Sequence, residues 1–368
     1  MMKYVLSLGI SLLFMTALAQ QSIRFMWYAD STVQTDTMTE LIEQFVAENP
    51  DIEVVLDVVP YATITDNLEL LLSTGEGPDI ARVTNLGGLA KHYLDISSAS
   101  DRIDSSYWEA NYGPYLDWLD PDNSGEVHGM QLELTVTGPY VNTTYFELAG
   151  VDMPQAGATW DDWAAASREV AAAVTTPDLE IFALAMDPTA HRLAGPAISQ
   201  GAKFLNDEGR PSIDDEGFRI MAQKLIDWHE DGTILPDSWK NIDGARAPTA
   251  FENGEVVMLM SGSWLLGRYA TNIADKFDWT AVANPCGPAA CSGMPGGSAV
   301  VAFKDTKHPE AVAKFLNFLS NRKMPSIMQL RLLPSLLISG WLMLVWIIPP
   351  MMPALKVHSM LLWLMYPI

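Results

Sequence analysis

The sequence predicts an α/β protein, and three observations carry that expectation. Short apolar runs alternate with segments whose apolar residues recur at helical spacing. Over residues 23–83 the order is strand, helix, strand, helix, strand, which folds as a parallel sheet with helices on its faces. Over 250–264 the stretch AFENGEVVMLMSGSW holds a run, Val256 to Met260, with no polar residue, as a strand covered on both faces requires.

The elements follow in chain order. IRFMWY at 23–28 reads as the first strand, and the polar residues 29–32 lead into a helix over 37–49 with Met38, Leu41, Ile42 and Phe45 on one face. Asn49-Pro50-Asp51 stops that helix before a strand over 52–59. Pro60 and Tyr61 open a second helix, with Ile64, Leu68, Leu71 and Leu72 turned inwards, and Gly75 to Pro78 close it before a strand over 79–83. A strand is expected at 130–137. Thr159 is a natural N-cap, with Asp162 at the capping-box position, for a helix carrying Trp163, Ala166, Val170 and Val174. A strand over 181–186, a loop over 187–192 and an amphipathic helix over 217–230 come next. In the 250–264 stretch a turn at Asn253-Gly254 precedes the strand. Ser261-Gly262-Ser263 then breaks it and presents Trp264 at its carboxyl end, where open α/β sheets bind ligands. A strand over 298–303 and a helix over 309–319 end the regular pattern.

With 368 residues, 49% of them hydrophobic and 18% charged, the chain is long enough for two domains with large cores. The net charge is -23, all 45 acidic residues lie between positions 20 and 323, and such a surface repels nucleic acid and anionic lipid. Lys3, the apolar stretch 5–18 and Ala17-Leu18-Ala19 form an export signal cleaved after Ala19, which places the mature chain in a periplasm. The two cysteines, Cys286 and Cys291, lie in a Pro/Gly loop of an exported chain and are expected to close a small disulfide ring. The six histidines show no metal-ligand spacing, so neither metal nor cofactor is expected. The turn 120–129 (DPDNSGEVHG) approaches a calcium loop, but Gln131 stands where the bidentate glutamate belongs, and it reads as a surface turn. Asp161 and Asp162 are adjacent, so they do not face one another on a helix and serve its dipole instead.

Seven stretches stand in one order that resembles a known family. They are FVAENPDIEVVLDVVPY (45–61), STGEGPDIARV (73–83), SGEVHGM (124–130), YVNTTYFELAGVDMP (140–154), TWDDW (159–163), FENGEVVMLMSGSW (251–264), and GGSAVVAF with HPEAVAKFLNFLSNR (296–303 and 308–322). The order and spacing resemble the extracellular solute-binding proteins of ABC importers, in the carbohydrate-binding, maltose-binding-protein-like group. The resemblance implies a periplasmic-binding-protein-like fold of two α/β lobes around a ligand cleft. The lobes would be 20–133 with 296–323, and 134–295, joined by crossing hinge segments near 135–138 and 294–297. It also implies a monomer that captures a carbohydrate, delivers it to a membrane permease and performs no catalysis.

Sugars present apolar ring faces and a belt of hydroxyls, so their sites combine aromatic plates with short polar side chains. The candidate ligand contacts are Trp264, Trp27, Tyr28, Asp30, Asn85, Glu133, His191 and Trp239, with Thr84, Thr135 and Asp187 nearby. Trp264 matches the family's stacking tryptophan, and Gly296-Gly297 a position of close backbone approach. Two rivals stand beside this reading. A polyamine site would want carboxylates within an aromatic box, which Asp30 and Glu133 leave open. A secreted glycoside hydrolase needs two acids about 5–10 Å apart, and no motif fixes such a pair.

The chain departs from the family after Lys323. Residues 324–368 hold no acidic residue, and Pro334, Pro349, Pro350 and Pro353 leave about 14 unbroken residues, short of the roughly 20 that a membrane span needs. The segment is read as a frameshift product, because the frame one base earlier permits Asn-Ala-Glu-Tyr-Tyr-Ala after the final helix. An early stop in that frame would remove the idea.

Overall fold

A computed structural model describes residues 21–322, apart from Asp101, Arg102, Asp207, Gly209, Pro211 and 240–245. The export signal and the apolar tail 324–368 lie outside the described residues. The elements are β1 Gln21–Trp27, α1 Thr32–Glu48, β2 Ile52–Val58, α2 Leu68–Thr74, β3 Ile80–Val83, α3 Ile96–Ala99, α4 Ser105–Leu119, β4 Gly129–Asn142, α5 Thr143–Ala149 and α6 Trp160–Val174. There follow β5 Phe182–Met186, α7 Ala190–Ser199, α8 Glu216–Glu230, α9 Arg246–Glu252, β6 Val256–Gly262, α10 Leu266–Asn272, β7 Trp279–Ala281, β8 Pro295–Ala302 and α11 Pro309–Asn321.

The strands run β2-β1-β3-β8-β4-β6-β5, with β7 also paired to β4. The β1, β2 and β3 set is parallel, as the strand–helix alternation requires. Antiparallel β8 makes the sheet mixed rather than purely parallel. The long strand β4 gives the molecule its layout. Its first part pairs with β8, from Gly129 opposite Val301 to Val136 opposite Pro295. From Thr137 onward it pairs with β6 instead, and then with β7. The expected strand 130–137 therefore runs on through Asn142 without a break.

Each sheet half is covered on both faces, and the period of two residues along a strand assigns the faces. In β1, Phe25 and Trp27 enter a core with Phe45, Trp108 and Phe315, whereas Met26, and Tyr28 just after the strand, enter another with Ile64, Leu68 and Val83. In β6, Met258 and Met260 meet Trp160, Trp163 and Leu184, whereas Leu259 meets Tyr140, Phe251 and Tyr269.

Three expectations change. Helix α1 begins at Thr32, five residues before the expected start at 37, because buried Gln34 is held there: its Oε1 accepts from Asp30 N at 2.8 Å and from Arg82 Nη1 at 3.0 Å. Strand β6 continues through Gly262, since Thr137 pairs opposite it and the Tyr140 hydroxyl donates to the Gly262 carbonyl at 2.7 Å. The expected loop 187–192 instead opens α7, whose N-cap Thr189 accepts from Arg192 N. The capping box of α6 forms from Thr159 and Asp162. In the turn after α4, Asp120 accepts from Ser124 Oγ and Gly125 N, both at 2.8 Å, so its carboxylate is used by the turn itself.

Cys286 and Cys291 form a disulfide. The ring ties the start of α6, because Cys286 N donates to Ala158 O at 2.8 Å and its carbonyl accepts from Trp160 N at 3.2 Å. Replacing both cysteines by serine is expected to lower stability by roughly 2 kcal/mol, the loop-closure value for so short a ring. A shifted urea midpoint at unchanged slope would show it.

Candidate functional site

The site is built around one residue absent from the sequence candidates. Arg82, in the middle of β3, is 0% exposed. A guanidinium removed from water must be paired and hydrogen-bonded throughout. Nε donates to Ser298 Oγ at 3.1 Å, and Nη1 to Tyr28 O at 2.9 Å and Gln34 Oε1 at 3.0 Å. Nη2 donates to Asp30 Oδ2 at 2.9 Å and to Glu133 Oε1. The guanidinium carbon lies 4.0 Å from the Tyr28 ring centroid and 5.1 Å from that of Trp27. Burial opposes the charge on Arg82, but the fields of Tyr28, Glu133 and Asp30 outweigh it and raise its pKa. Burial likewise raises the Glu133 carboxyl, and Arg82 opposes that shift.

The second sheet half contributes Trp264, half-buried just beyond the end of β6. Gly262 makes room for it, since a Cβ there would lie 2.1 Å from the indole. The Arg192 guanidinium sits over the ring at 4.4 Å, and Arg192 pairs with buried Asp187 at 3.4 Å. Burial lowers the Arg192 pKa, while Asp187, Tyr61 and Asp30 raise it. Asp30 belongs to the first half, so its carboxylate acts on a cation of the second half here. Tyr61 packs edge-on against Tyr28 at 4.9 Å, and its hydroxyl shares a hydrogen bond of 2.9 Å with Thr84 Oγ1.

The sequence candidates divide accordingly. Tyr28, Asp30 and Glu133 gather on Arg82. His191 joins Trp264, with ring centroids 5.9 Å apart, and its Nε2 lies 3.3 Å from the Pro295 carbonyl of β8. Gly296 is a close approach, because a Cβ there would lie 2.9 Å from that same Nε2. Gly297 faces the bulge of β4 between Gln131 and Glu133, and a Cβ would lie 2.2 Å from the Glu133 carbonyl. Its lack of a side chain thus serves strand packing.

Trp27 needs correcting: it is wholly buried in the first core against Phe25, because the alternation of β1 turns it inwards. Asn85 is exposed and holds its own turn, accepting from Gly88 N at 3.2 Å. The side chain of Trp239 lies outside the described residues. Sequence reasoning missed Arg82, Arg192, Tyr61, Gln34 and Ser298. Arg82 did carry a signal: a lone charge within the otherwise apolar strand IARV must find buried partners.

A family model described as bacterial extracellular solute-binding protein matches residues 29–324. The sequence is 27% identical over 308 residues to the lactose-binding protein of Rhizobium radiobacter, an alignment covering 79% of this chain and 68% of that one. It is 25% identical over 293 residues to the arabinooligosaccharide-binding protein of Bacillus subtilis (strain 168), covering 76% and 65%. In fold it is similar to an ABC substrate-binding protein of Listeria monocytogenes in complex with cycloalternan, with TM-score 0.70 and 19% identity over 86% of this chain and 83% of that one.

The contact between His191 and β8 generates a pH expectation. Burial, then the charge of Arg192, lowers the His191 pKa from 6.5. The unfolded chain therefore binds the proton more readily, and His191 costs stability as pH falls below 6.5. The loss of melting temperature between pH 7.5 and pH 5.5 should be smaller in His191→Gln than in the unaltered protein.

Proposed function

Because the chain belongs to the family of bacterial extracellular solute-binding proteins, we propose that it is the sugar-capturing component of an ABC importer. In this reading it is exported, cleaved after Ala19, and works in the periplasm as a monomer. It takes up a sugar or oligosaccharide between two lobes and hands it unchanged to a membrane permease, with no cofactor and no nucleic acid.

The observation that carries the reading is the meeting of two kinds of group where β4 changes partner. Carboxylates of Asp30 and Glu133 come from the first half, and the indole of Trp264 from the second. Carboxylates accept hydroxyl hydrogens, and an indole face accepts the apolar face of a pyranose. The Arg192 guanidinium carbon lies 4.4 Å from the Trp264 ring centroid and covers one face of the indole, so a sugar would stack on the other face. The lactose-binding and arabinooligosaccharide-binding relatives support the same ligand class.

We place the lobe boundaries where the strand pairing changes, at 136/137 on β4 and 294/295 before β8, a few residues from the sequence-based positions. Thr137 N donates to Met294 O at 3.0 Å, and Met294 N to Thr137 Oγ1 at 2.7 Å. Rotation about this paired crossing would open and close the cleft. Against a polyamine, the box of aromatic rings and carboxylates that an ammonium would enter already holds the guanidinium of Arg82.

Calorimetric titration of the purified protein with mono- and oligosaccharides, and with spermidine, tests the proposal. One sugar class should bind saturably and be recovered unhydrolysed, and Trp264→Ala should weaken it about tenfold or more. A response to spermidine with none to any sugar would reject the reading.

A further inference from the structure

Arg82 has five N–H donors, and five acceptors take them: Ser298 Oγ, Tyr28 O, Gln34 Oε1, Asp30 Oδ2 and Glu133 Oε1. It has no donor left for a ligand, and it is wholly buried. Its carboxylate partners are different. Their side chains are 22% and 18% exposed. Among the described residues, the side-chain bonds they accept fall on Asp30 Oδ2 and Glu133 Oε1, with Ser298 Oγ also donating to the latter at 3.2 Å. Asp30 Oδ1 and Glu133 Oε2 remain for whatever enters the cleft.

We propose that Arg82 is a positioning residue that sets the ligand class: it holds Asp30 and Glu133 as a fixed pair of carboxylate acceptors, which restricts the site to uncharged, hydroxyl-bearing sugars and excludes uronates. The inference rests on the sugar-binding reading above. Two ionised carboxylates side by side accept hydrogen bonds and cannot donate them. A hydroxyl of a neutral sugar satisfies them, whereas the carboxylate of a uronic acid meets like charge. The groups around Glu133 leave that balance negative: Arg82 on β3, Asp30 and the neutral phenol of Tyr28 after β1, and Ser298 on β8. Across the cleft, Arg192 is paired with Asp187. Three carboxylates therefore stand against two guanidiniums. If the Arg82 charge is removed, burial of Glu133 and the charge of Asp30 are opposed by the Ser298 hydrogen bond but no longer by a cation, so the carboxyl takes up a proton at a higher pH and an acceptor becomes a donor.

The test has one arm that needs no sugar. Carbon-13 NMR titration of the Glu133 carboxyl should give a midpoint that rises in Arg82→Met and returns most of the way in Arg82→Lys, with melting curves showing that each variant is folded. An unchanged midpoint in Arg82→Met would overturn the inference whether or not sugar binds. In the second arm, the neutral sugar found by calorimetry is compared with its uronic acid in the unaltered protein. At pH 7 the uronate should bind at least about tenfold more weakly, and Glu133→Gln should narrow that gap. Arg82→Met should lose neutral-sugar affinity as pH falls through a higher pH than the unaltered protein does. A merely structural arginine would weaken binding equally at every pH. That result, or a uronate bound as tightly as the neutral sugar, would count against the proposal. Absence of sugar binding in the unaltered protein would reject the proposed function, while the carboxyl titration still reads the role of Arg82.

Discussion

Where β1, β3, β4 and β8 lie side by side, the Arg82 guanidinium is taken wholly out of water. A buried charge with a missing partner costs several kcal/mol, so this interaction tolerates little error in its surroundings. Its acceptors come from the segment after β1, from α1, from β4 and from β8. Each must arrive in register for the charge to be satisfied. The bulge between Gln131 and Glu133 belongs to the same constraint, since a bulge shifts which residue opposes the partner strand. Gly297 opposite that bulge leaves no Cβ to meet the Glu133 carbonyl. Early turns of α1 follow as well, because Gln34 shares its carbonyl oxygen between Asp30 and Arg82.

The second organising feature is continuity of the backbone. β4 serves both sheet halves, with β8 beside its first part and β6 beside its second. Each half has apolar residues on both faces and is packed by its own helices. The change of partner at Val136 and Thr137 therefore falls between two cores rather than within one. Groups placed near that line can belong to different cores and still approach each other. Trp264 and Arg192 stand on one side, Asp30 and Tyr61 on the other, and the Asp30 carboxylate acts on Arg192. This is the geometry that a capture function needs: rigid platforms, a short paired crossing, and complementary chemistry on the facing surfaces.

Much of this was legible in the residues. The apolar run of β6 marked a strand buried on both faces, and Thr159 with Asp162 marked the start of α6. Those signals are local: hydrophobic period and capping chemistry involve neighbours within about one helical turn. Trp264 and Glu133 were named because they sit near strand ends or in strands leading to the cleft. Trp27 was misjudged for the same reason, since adjacent positions of a strand face opposite ways and the sequence alone does not say which face is cleft and which is core. The helical turn at α7 was missed because its cap, Thr189, follows a strand whose end carries polar residues that also suit a loop.

The sequence by itself determined the class of fold, the strand–helix alternation of β1 to β3, the buried strand β6, the capped start of α6 and the pattern of the family, because each depends on residue period and local chemistry. The tertiary structure alone decided that the buried charge of Arg82 gathers Tyr28, Asp30 and Glu133. Its acceptors lie 48 to 216 positions away along the chain. No local period encodes such pairings: they exist only once β8 has been laid between β3 and β4, bringing Ser298 and Glu133 to one buried charge.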